Sequence, residues 1–245
     1  MGKLKAIDLF CGAGGWSEGL KQEGFDVILA VDWWGKSIET HKANHPKTEH
    51  IVDDIMKIDV LPECDVLVGS PPCVHFSGAS RYKKDIGKGR ILVDKFIELA
   101  LKTKCKYWIG ENVWGVEPVI KDWQKKDPDI KYMKVLCSDY GSKNRRPRLF
   151  FGKFPEPDKK IVPNPSPTVK GGHRECVNSR EGKTWMKYCG VAPFKQSNAY
   201  LADLQCFPKN YKWVGNKKEV RLQIGNAVCP RTARQFAKKV KEMIL

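Results

Sequence analysis

What this chain lacks narrows it first. No apolar run approaches the roughly 20 residues a helix needs to cross a bilayer, and 41% hydrophobic with 29% charged residues is ordinary for a water-facing globular chain. Met1-Gly2-Lys3-Leu4-Lys5 leads directly into an apolar segment, so no secretory leader is expected. The nine cysteines form no Cys-x-x-Cys pair. Neither a zinc site nor a disulfide framework is therefore expected, and a reducing, intracellular setting fits. The glycines make neither a Gly-x-Gly-x-x-Gly fingerprint nor a phosphate-binding loop with its lysine, which argues against NAD and ATP. Internal repeats and low-complexity tracts are also missing.

Acidic residues are scarce in one half only. Residues 1–140 hold 21 Lys and Arg against 21 Asp and Glu, whereas residues 141–245 hold 23 against 7. The whole formal charge of +16 thus belongs to the C-terminal part. Such an excess is either a solubilising lysine-rich surface or a phosphate-binding face beside a neutral catalytic half.

The 245 residues suffice for one main domain with a small appendage. Short apolar runs at Ala6–Phe10, Val27–Val31, Val66–Val68, Tyr107–Gly110 and Leu149–Phe151 predict strands. Ser17–Glu23, Ser37–Asn44, Leu92–Leu101 and the basic Arg231–Leu245 predict helices. This alternation predicts an α/β domain on a mainly parallel sheet. Pro155, Pro157, Pro163, Pro165 and Pro167 predict a linker over Lys153–Pro167, and Thr168–Tyr200 reads as irregular or short-stranded.

Four segments carry chemistry. Asp8-Leu9-Phe10-Cys11-Gly12-Ala13-Gly14-Gly15 puts glycines between a strand and a helix, where backbone N–H groups can approach a ligand, although such turns also arise for steric reasons. Asp32 ends the second strand, placed to accept from both hydroxyls of a ribose. Asp65-Val66-Leu67-Val68-Gly69-Ser70-Pro71-Pro72-Cys73 is a buried strand entering a stiff turn that would present Cys73 as a nucleophile; the plain alternative is a small buried residue. The following segment, Ser77–Arg90, offers Gly78, Gly87 and Gly89 as hinges and Arg81, Lys83, Lys84, Lys88 and Arg90 as phosphate contacts of a lid. Glu111-Asn112-Val113 follows the next strand and would put a carboxyl on the same rim. Asn144-Arg145-Arg146-Pro147-Arg148 alone would read as a phosphate patch. His41 and His45, four apart, allow a metal pair, but without a third ligand a solvated helix face is the better reading.

In this order the segments resemble the cytosine carbon-5 DNA methyltransferase family, over nearly the whole chain. Asp53-Asp54-Ile55, Val135-Leu136-Cys137-Ser138-Asp139-Tyr140-Gly141, Leu201-Ala202-Asp203-Leu204-Gln205-Cys206-Phe207-Pro208 and Gln223-Ile224-Gly225-Asn226-Ala227-Val228 extend the match. The resemblance implies a Rossmann-like methyltransferase sheet with a small, irregular target-recognition appendage. It divides the chain into a catalytic and cofactor-binding domain at 1–152, a reduced target-recognition region at 153–200, and a returning segment at 201–245. It implies S-adenosyl-L-methionine as cofactor and S-adenosyl-L-homocysteine as product, with double-stranded DNA as partner and no metal or membrane. A cognate restriction endonuclease or specificity partner, and a cytoplasmic or nucleoid-associated location, go with it.

The resemblance also assigns residues. Phe10, Gly12, Gly14, Gly15, Asp32, Trp33, Asp54, Ile55, Pro72, Asn226 and Ala227 would surround the cofactor, with Trp33 stacked on adenine, unless its indole is plain core, and Asp54 accepting from the exocyclic amine. Cys73 would add to carbon 6 of cytosine, Glu111 would neutralise charge at N3, Arg148 would hold O2, and Arg146 would support that geometry. The target base must be swung out of the duplex first. The chain departs from the family pattern at Val74, at Lys143-Asn144, and in the short span between Arg148 and Leu201, where Ser166-Pro167-Thr168-Val169 resembles a segment that elsewhere follows the recognition domain. A target of about two to four base pairs, with phosphate contacts from Lys183 and Lys187, is the expectation for so short a span. Two alternatives stand beside this reading: methylation of transfer RNA, and a non-catalytic DNA-binding subunit that keeps the fold.

Overall fold

The computed structural model describes residues 2–73, 76, 85–103, 105–171 and 196–245. Val74, Ser77, Gly78, Arg81, Lys83, Lys84, Lys183 and Lys187 therefore lie outside the described residues, as does most of Thr168–Tyr200.

Seven strands make one sheet: β1 (Lys5–Leu9), β2 (Asp26–Asp32), β3 (Glu49–Val52), β4 (Val66–Gly69), β5 (Tyr107–Asn112), β6 (Lys131–Leu136) and β7 (Pro147–Lys153), in the order β3-β2-β1-β4-β5-β7-β6. β3 through β5 run parallel, while β7 is antiparallel to both β5 and β6. The helices are α1 (Gly15–Gln22), α2 (Gly35–Asn44), α3 (Ile86–Thr103), α4 (Glu117–Lys126), α5 (Asn198–Leu204), α6 (Lys217–Asn226) and α7 (Pro230–Ile244). This is the α/β domain on a mainly parallel sheet that the alternating pattern predicts, with the Rossmann-like sheet that the resemblance implies. None of the helices is long and apolar enough to cross a membrane, among the described residues.

Both faces of the sheet are buried, so its central strands read as continuous apolar runs. One face packs Ile7, Leu67 and Phe151 under Val93, Phe96 and Ile97 of α3 and Val119 and Ile120 of α4. On the other, Trp16 and Leu20 of α1 meet Phe236, Ala237 and Val240 of α7, and Phe150 stacks on Phe236 at 4.3 Å. β1 pairs with β2 on one side and β4 on the other, so the chain winds outward in both directions from it. Such a switch point opens a crevice at the carboxyl ends of its strands. The glycine turn after β1 and the Pro-Pro-Cys turn after β4 form its walls.

The predicted strands and helices are present, within small shifts of their ends. Sequence periodicity missed β3 and β6, the two edge strands, whose Glu49, His50, Lys131 and Lys134 blunt the apolar signal as exposed edges require. It also missed α4, α5 and α6. The helix expected from Leu92 begins at Ile86, where Asp85 accepts from Lys88 N at 3.1 Å. Gly87, Lys88, Gly89 and Arg90 accordingly belong to α3 rather than to a loop. Arg90 lies 3.0 Å from Asp94 and 3.4 Å from Asp122.

The proline-rich segment is fastened down rather than a free linker. Its prolines cannot donate, but Lys160 N reaches Asp139 O at 2.7 Å, Val162 N reaches Ser138 O at 2.8 Å, and Ser166 N reaches Lys143 O at 2.9 Å. Val169 is buried with Leu201, Leu204 and Ile224 of the returning segment.

Candidate active site

The Cys73 turn is held from three sides. Ser70 N donates to Leu9 O at 3.2 Å, Trp16 Nε1 to Ser70 Oγ at 3.2 Å, and Asn112 Nδ2 to Pro71 O at 2.9 Å. Two prolines fix φ between these anchors. Beyond the cysteine, Phe76 N donates to Cys73 O at 3.0 Å. A Cβ on Gly115 would lie 2.5 Å from Phe76 O, so the turn after β5 and the turn after β4 approach as closely as only glycine permits. Burial pushes the half-buried Cys73 thiol up; Arg148 counters this, Glu111 adds to it, and Arg146 counters it again. All three charged side chains thus act on this sulfur.

Glu111 and Arg148 come from neighbouring antiparallel strands. Glu111 pairs in register with Phe150, which puts it on the same face as Arg148. Arg148 Nε lies 2.7 Å from Glu111 Oε1, yet its N–H is not aligned on that oxygen, which has no hydrogen-bond donor. Trp114 Nε1 donates to Arg148 O at 2.9 Å and fixes the strand's start. Arg146 faces inward instead. It is 2% exposed, has φ of 26°, and its Nη1 donates to Val169 O at 3.2 Å and Gly225 O at 3.0 Å. Burial lowers its pKa to about 10. Asn144, at the start of the cluster, donates to Leu204 O and Gln205 Oε1, and Gln205 in turn to Ile224 O and Ala227 O. Of the three arginines only Arg145 is exposed, so the cluster is mostly internal rather than a phosphate patch.

At the crevice's other wall, Asp32 accepts from Gly12 N and Trp34 N, each at 2.8 Å, one per carboxylate oxygen. Each oxygen keeps a second lone pair. Burial raises its pKa. Trp33 beside it is 70% exposed, which rules out core packing for that indole. Asp54 is exposed and caps a short turn through Met56 N at 3.0 Å, over the buried Ile55. Phe10 holds φ of 54°, a left-handed conformation unusual for a bulky side chain. The three glycines differ: Gly12 borders open space, whereas a Cβ on Gly14 would meet Tyr211 and His41, and one on Gly15 would lie 2.2 Å from Val228 O. On their Cβ sides Gly14 thus admits Tyr211, His41 and His45, Gly15 admits Val228, and Gly12 faces open space. Asn226 ends α6 exposed, with Ala227 buried beside it. Pro72 is half-buried in the Cys73 turn.

Beneath the glycine turn lies a buried polar chain that the sequence reading missed. Asp8, fully buried, accepts from Ser17 Oγ at 2.7 Å and Ser17 N at 3.1 Å. His41 Nε2 meets the same Ser17 Oγ at 2.9 Å, and His41 Nδ1 meets His50 Nε2 at 2.8 Å. His45 lies 3.4 Å from Tyr211 Oη and 3.9 Å from Glu18 Oε2, and Tyr211 donates to Ala13 O. His41 and His45 are therefore buried members of this network, not a solvated helix face, because the Tyr211–Val214 strip covers α2.

Comparison with known proteins adds to this geometry. The model of the family described as C-5 cytosine-specific DNA methylase matches residues 4–185 and 194–242. The Type II methyltransferase M.NgoPII of Neisseria gonorrhoeae is 32% identical over 164 residues, covering 62% of this chain and 48% of that protein. M.HindV of Haemophilus influenzae is 26% identical over 301 residues, covering 97% and 96%. The chain thus spans about half of M.NgoPII and nearly all of M.HindV, and the latter alignment exceeds its own 245 residues, so M.HindV carries residues this chain lacks. The structure of the S. pombe Dnmt2 methyltransferase superposes with a TM-score of 0.72 over 100% of both chains at 13% identity, a likeness of fold.

Proposed function

Because the chain belongs to the C-5 cytosine-specific DNA methylase family, we propose that it transfers a methyl group from S-adenosyl-L-methionine to carbon 5 of cytosine in double-stranded DNA through a transient Cys73 bond. The observation that carries this reading is the meeting of Cys73, Glu111 and Arg148 at the ends of β4, β5 and β7 beside the crevice. The crevice suits a nucleoside cofactor. Gly12 leaves space, Asp32 keeps one lone pair per oxygen for ribose hydroxyls, and exposed Trp33 offers a face for adenine. When bound, that cofactor supplies an electrophilic methyl group and departs as S-adenosyl-L-homocysteine.

The chain's own residues make cytosine able to take it. Cys73 as thiolate adds to carbon 6, and the ring electrons shift toward carbon 5. Arg148 faces Cys73 with a positive charge that favours the thiolate. Glu111 shares a carboxyl proton with N3 as negative charge develops there, and the Arg148 guanidinium holds O2. After methylation a water or loop group takes the carbon-5 proton, the electrons of that C–H bond re-form the carbon 5–carbon 6 double bond, and Cys73 leaves with its bonding pair, restoring the thiolate. Arg146 joins the returning segment to the arginine strand, so it positions rather than touches. Residues 153–200 serve in this reading as the reduced target-recognition region, and a cognate restriction endonuclease or specificity partner belongs with it because relatives bear the name Type II methyltransferase.

Tritium transfer from labelled cofactor tests the proposal. Duplex DNA should gain label at cytosine, and Cys73→Ala should transfer none. Label appearing in transfer RNA but not DNA would favour the RNA reading. Failure to label either substrate, in protein that binds the cofactor, would favour a non-catalytic subunit.

A further inference from the structure

Two cysteines meet at the opposite end of the sheet from Cys73. Val66 of β4 pairs in register with Tyr107 of the parallel β5, so two residues earlier Cys64 falls beside Cys105 on the same face. Their sulfurs lie 2.7 Å apart, closer than unbonded sulfurs pack, although both are free thiols. Adjacent strands run roughly 4.8 Å apart, within the Cα separation a disulfide spans. Cys105 is buried and Cys64 only partly so, which leaves the pair open to small solutes from the Cys64 side. A hydrogen bond from Cys64 lowers the pKa of Cys105, which favours a thiolate there.

We propose that Cys64 and Cys105 are a modification site that a hydroperoxide converts reversibly to a disulfide. One thiolate attacks the peroxide, breaking its O–O bond; the sulfur becomes a sulfenic acid and the alcohol, or water from hydrogen peroxide, departs. The second sulfur, already in contact, displaces hydroxide from the first, which takes up a proton and leaves as water. Two electrons pass from the two thiols to the peroxide, and a dithiol reductant reverses the change. Contact between the sulfurs makes the second step intramolecular and fast, before further oxidation can occur. Cys73 lies at least one strand length away, roughly 15 Å, and takes no part. In a reducing compartment such a pair is transient and senses oxidant rather than holding the fold.

The folded full-length chain is treated with one equivalent of hydrogen peroxide, alkylated under denaturing conditions, and mapped by mass spectrometry. A linked peptide joining Cys64 to Cys105, two hydrogens lighter than its parts and lost on dithiothreitol treatment, is expected. The oxidised chain should also unfold about 5 °C or more higher, since the bond closes a long loop. Cys64→Ser and Cys105→Ser should each remove the linked peptide. Should either variant fail to fold, wild-type chain in denaturant serves instead, and the link should fall to the level of random pairing. Recovery of both cysteines as alkylated thiols or as unlinked sulfinic acids from oxidised folded protein would overturn the proposal. So would links joining either one mainly to other cysteines.

Discussion

Arg146 and Arg148 stand two residues apart and look equivalent in the sequence, yet burial gives them different tasks. Arg146 joins two backbone carbonyls with no solvent to replace it. Arg146→Ala should cost about 3 kcal/mol or more in urea denaturation, because each charge-assisted bond is worth about 1.5–3 kcal/mol and two buried acceptors are orphaned. Arg148 reaches toward the site while pairing with the buried Glu111, so Arg148→Ala should lower the methylation rate by about 10²–10⁴ and also cost stability, because Glu111 is left without its partner. A folded Arg148→Ala protein that keeps its methylation rate would contradict this division. Asp32→Ala should weaken cofactor binding about 10- to 100-fold by calorimetry, partly by freeing Gly12 N and Trp34 N, and Asp32→Asn should fall between. An unchanged affinity in a folded variant would remove Asp32 from the site. The types and order of Cys73, Glu111 and Arg148 were legible in the sequence. Their depth was not, since nothing local distinguishes an arginine that meets carbonyls 23 and 79 residues away.

Among the elements, the α1–α2 corner shows why spacing alone misreads burial. His41 and His45 lie on a helix with little apolar character, and the strip that covers them arrives from about 170 residues later. The same distance hid the roles of Gly14 and Gly15, which admit Tyr211 and Val228. This corner sets a pH dependence. Burial holds His41 well below 6.5 and His45 at about 3, so both stay neutral in the fold. The stability they give is complete above pH 6.5 and is lost as pH falls, by about 1.4 kcal/mol per unit for each. Asp8 acts oppositely. Burial raises it from 3.8 to about 7, so the fold keeps a proton that the unfolded chain releases, and stability declines as pH rises across that window. Two histidines outweigh one carboxyl, so denaturation midpoints should rise between about pH 4 and 6.5, and Asp8→Asn should steepen the rise. A flat profile, or a slope unaffected by Asp8→Asn, would contradict it.

For the whole molecule, net charge overstates what is free to meet DNA. Of the C-terminal excess, Arg146 is interred, and Arg148 and Arg234 pair with Glu111 and Glu23 of the other half. Binding to duplex DNA should therefore weaken with salt according to the number of phosphates contacted, which is smaller than the charge of +16. Lys183→Ala with Lys187→Ala should lower affinity for target and unrelated duplexes alike and flatten that slope; selective loss of target binding would mean that these lysines read bases. The α/β class and five of the strands follow from the alternating apolar runs, but the edge strands and the fastening of the proline-rich strip do not, because charged residues blunt the former and the groups the strip bonds lie on another segment. All of this rests on Cys73 as a nucleophile toward carbon 6, and one measurement reaches it directly. Duplex DNA bearing 5-fluorocytosine, whose fluorine cannot leave as a proton does, is incubated with the chain and S-adenosyl-L-methionine and examined by denaturing mass spectrometry. A covalent protein–DNA species is predicted for the wild type and none for Cys73→Ala; methylation of ordinary cytosine without any adduct on the fluorinated duplex, or an adduct that survives Cys73→Ala, would contradict it.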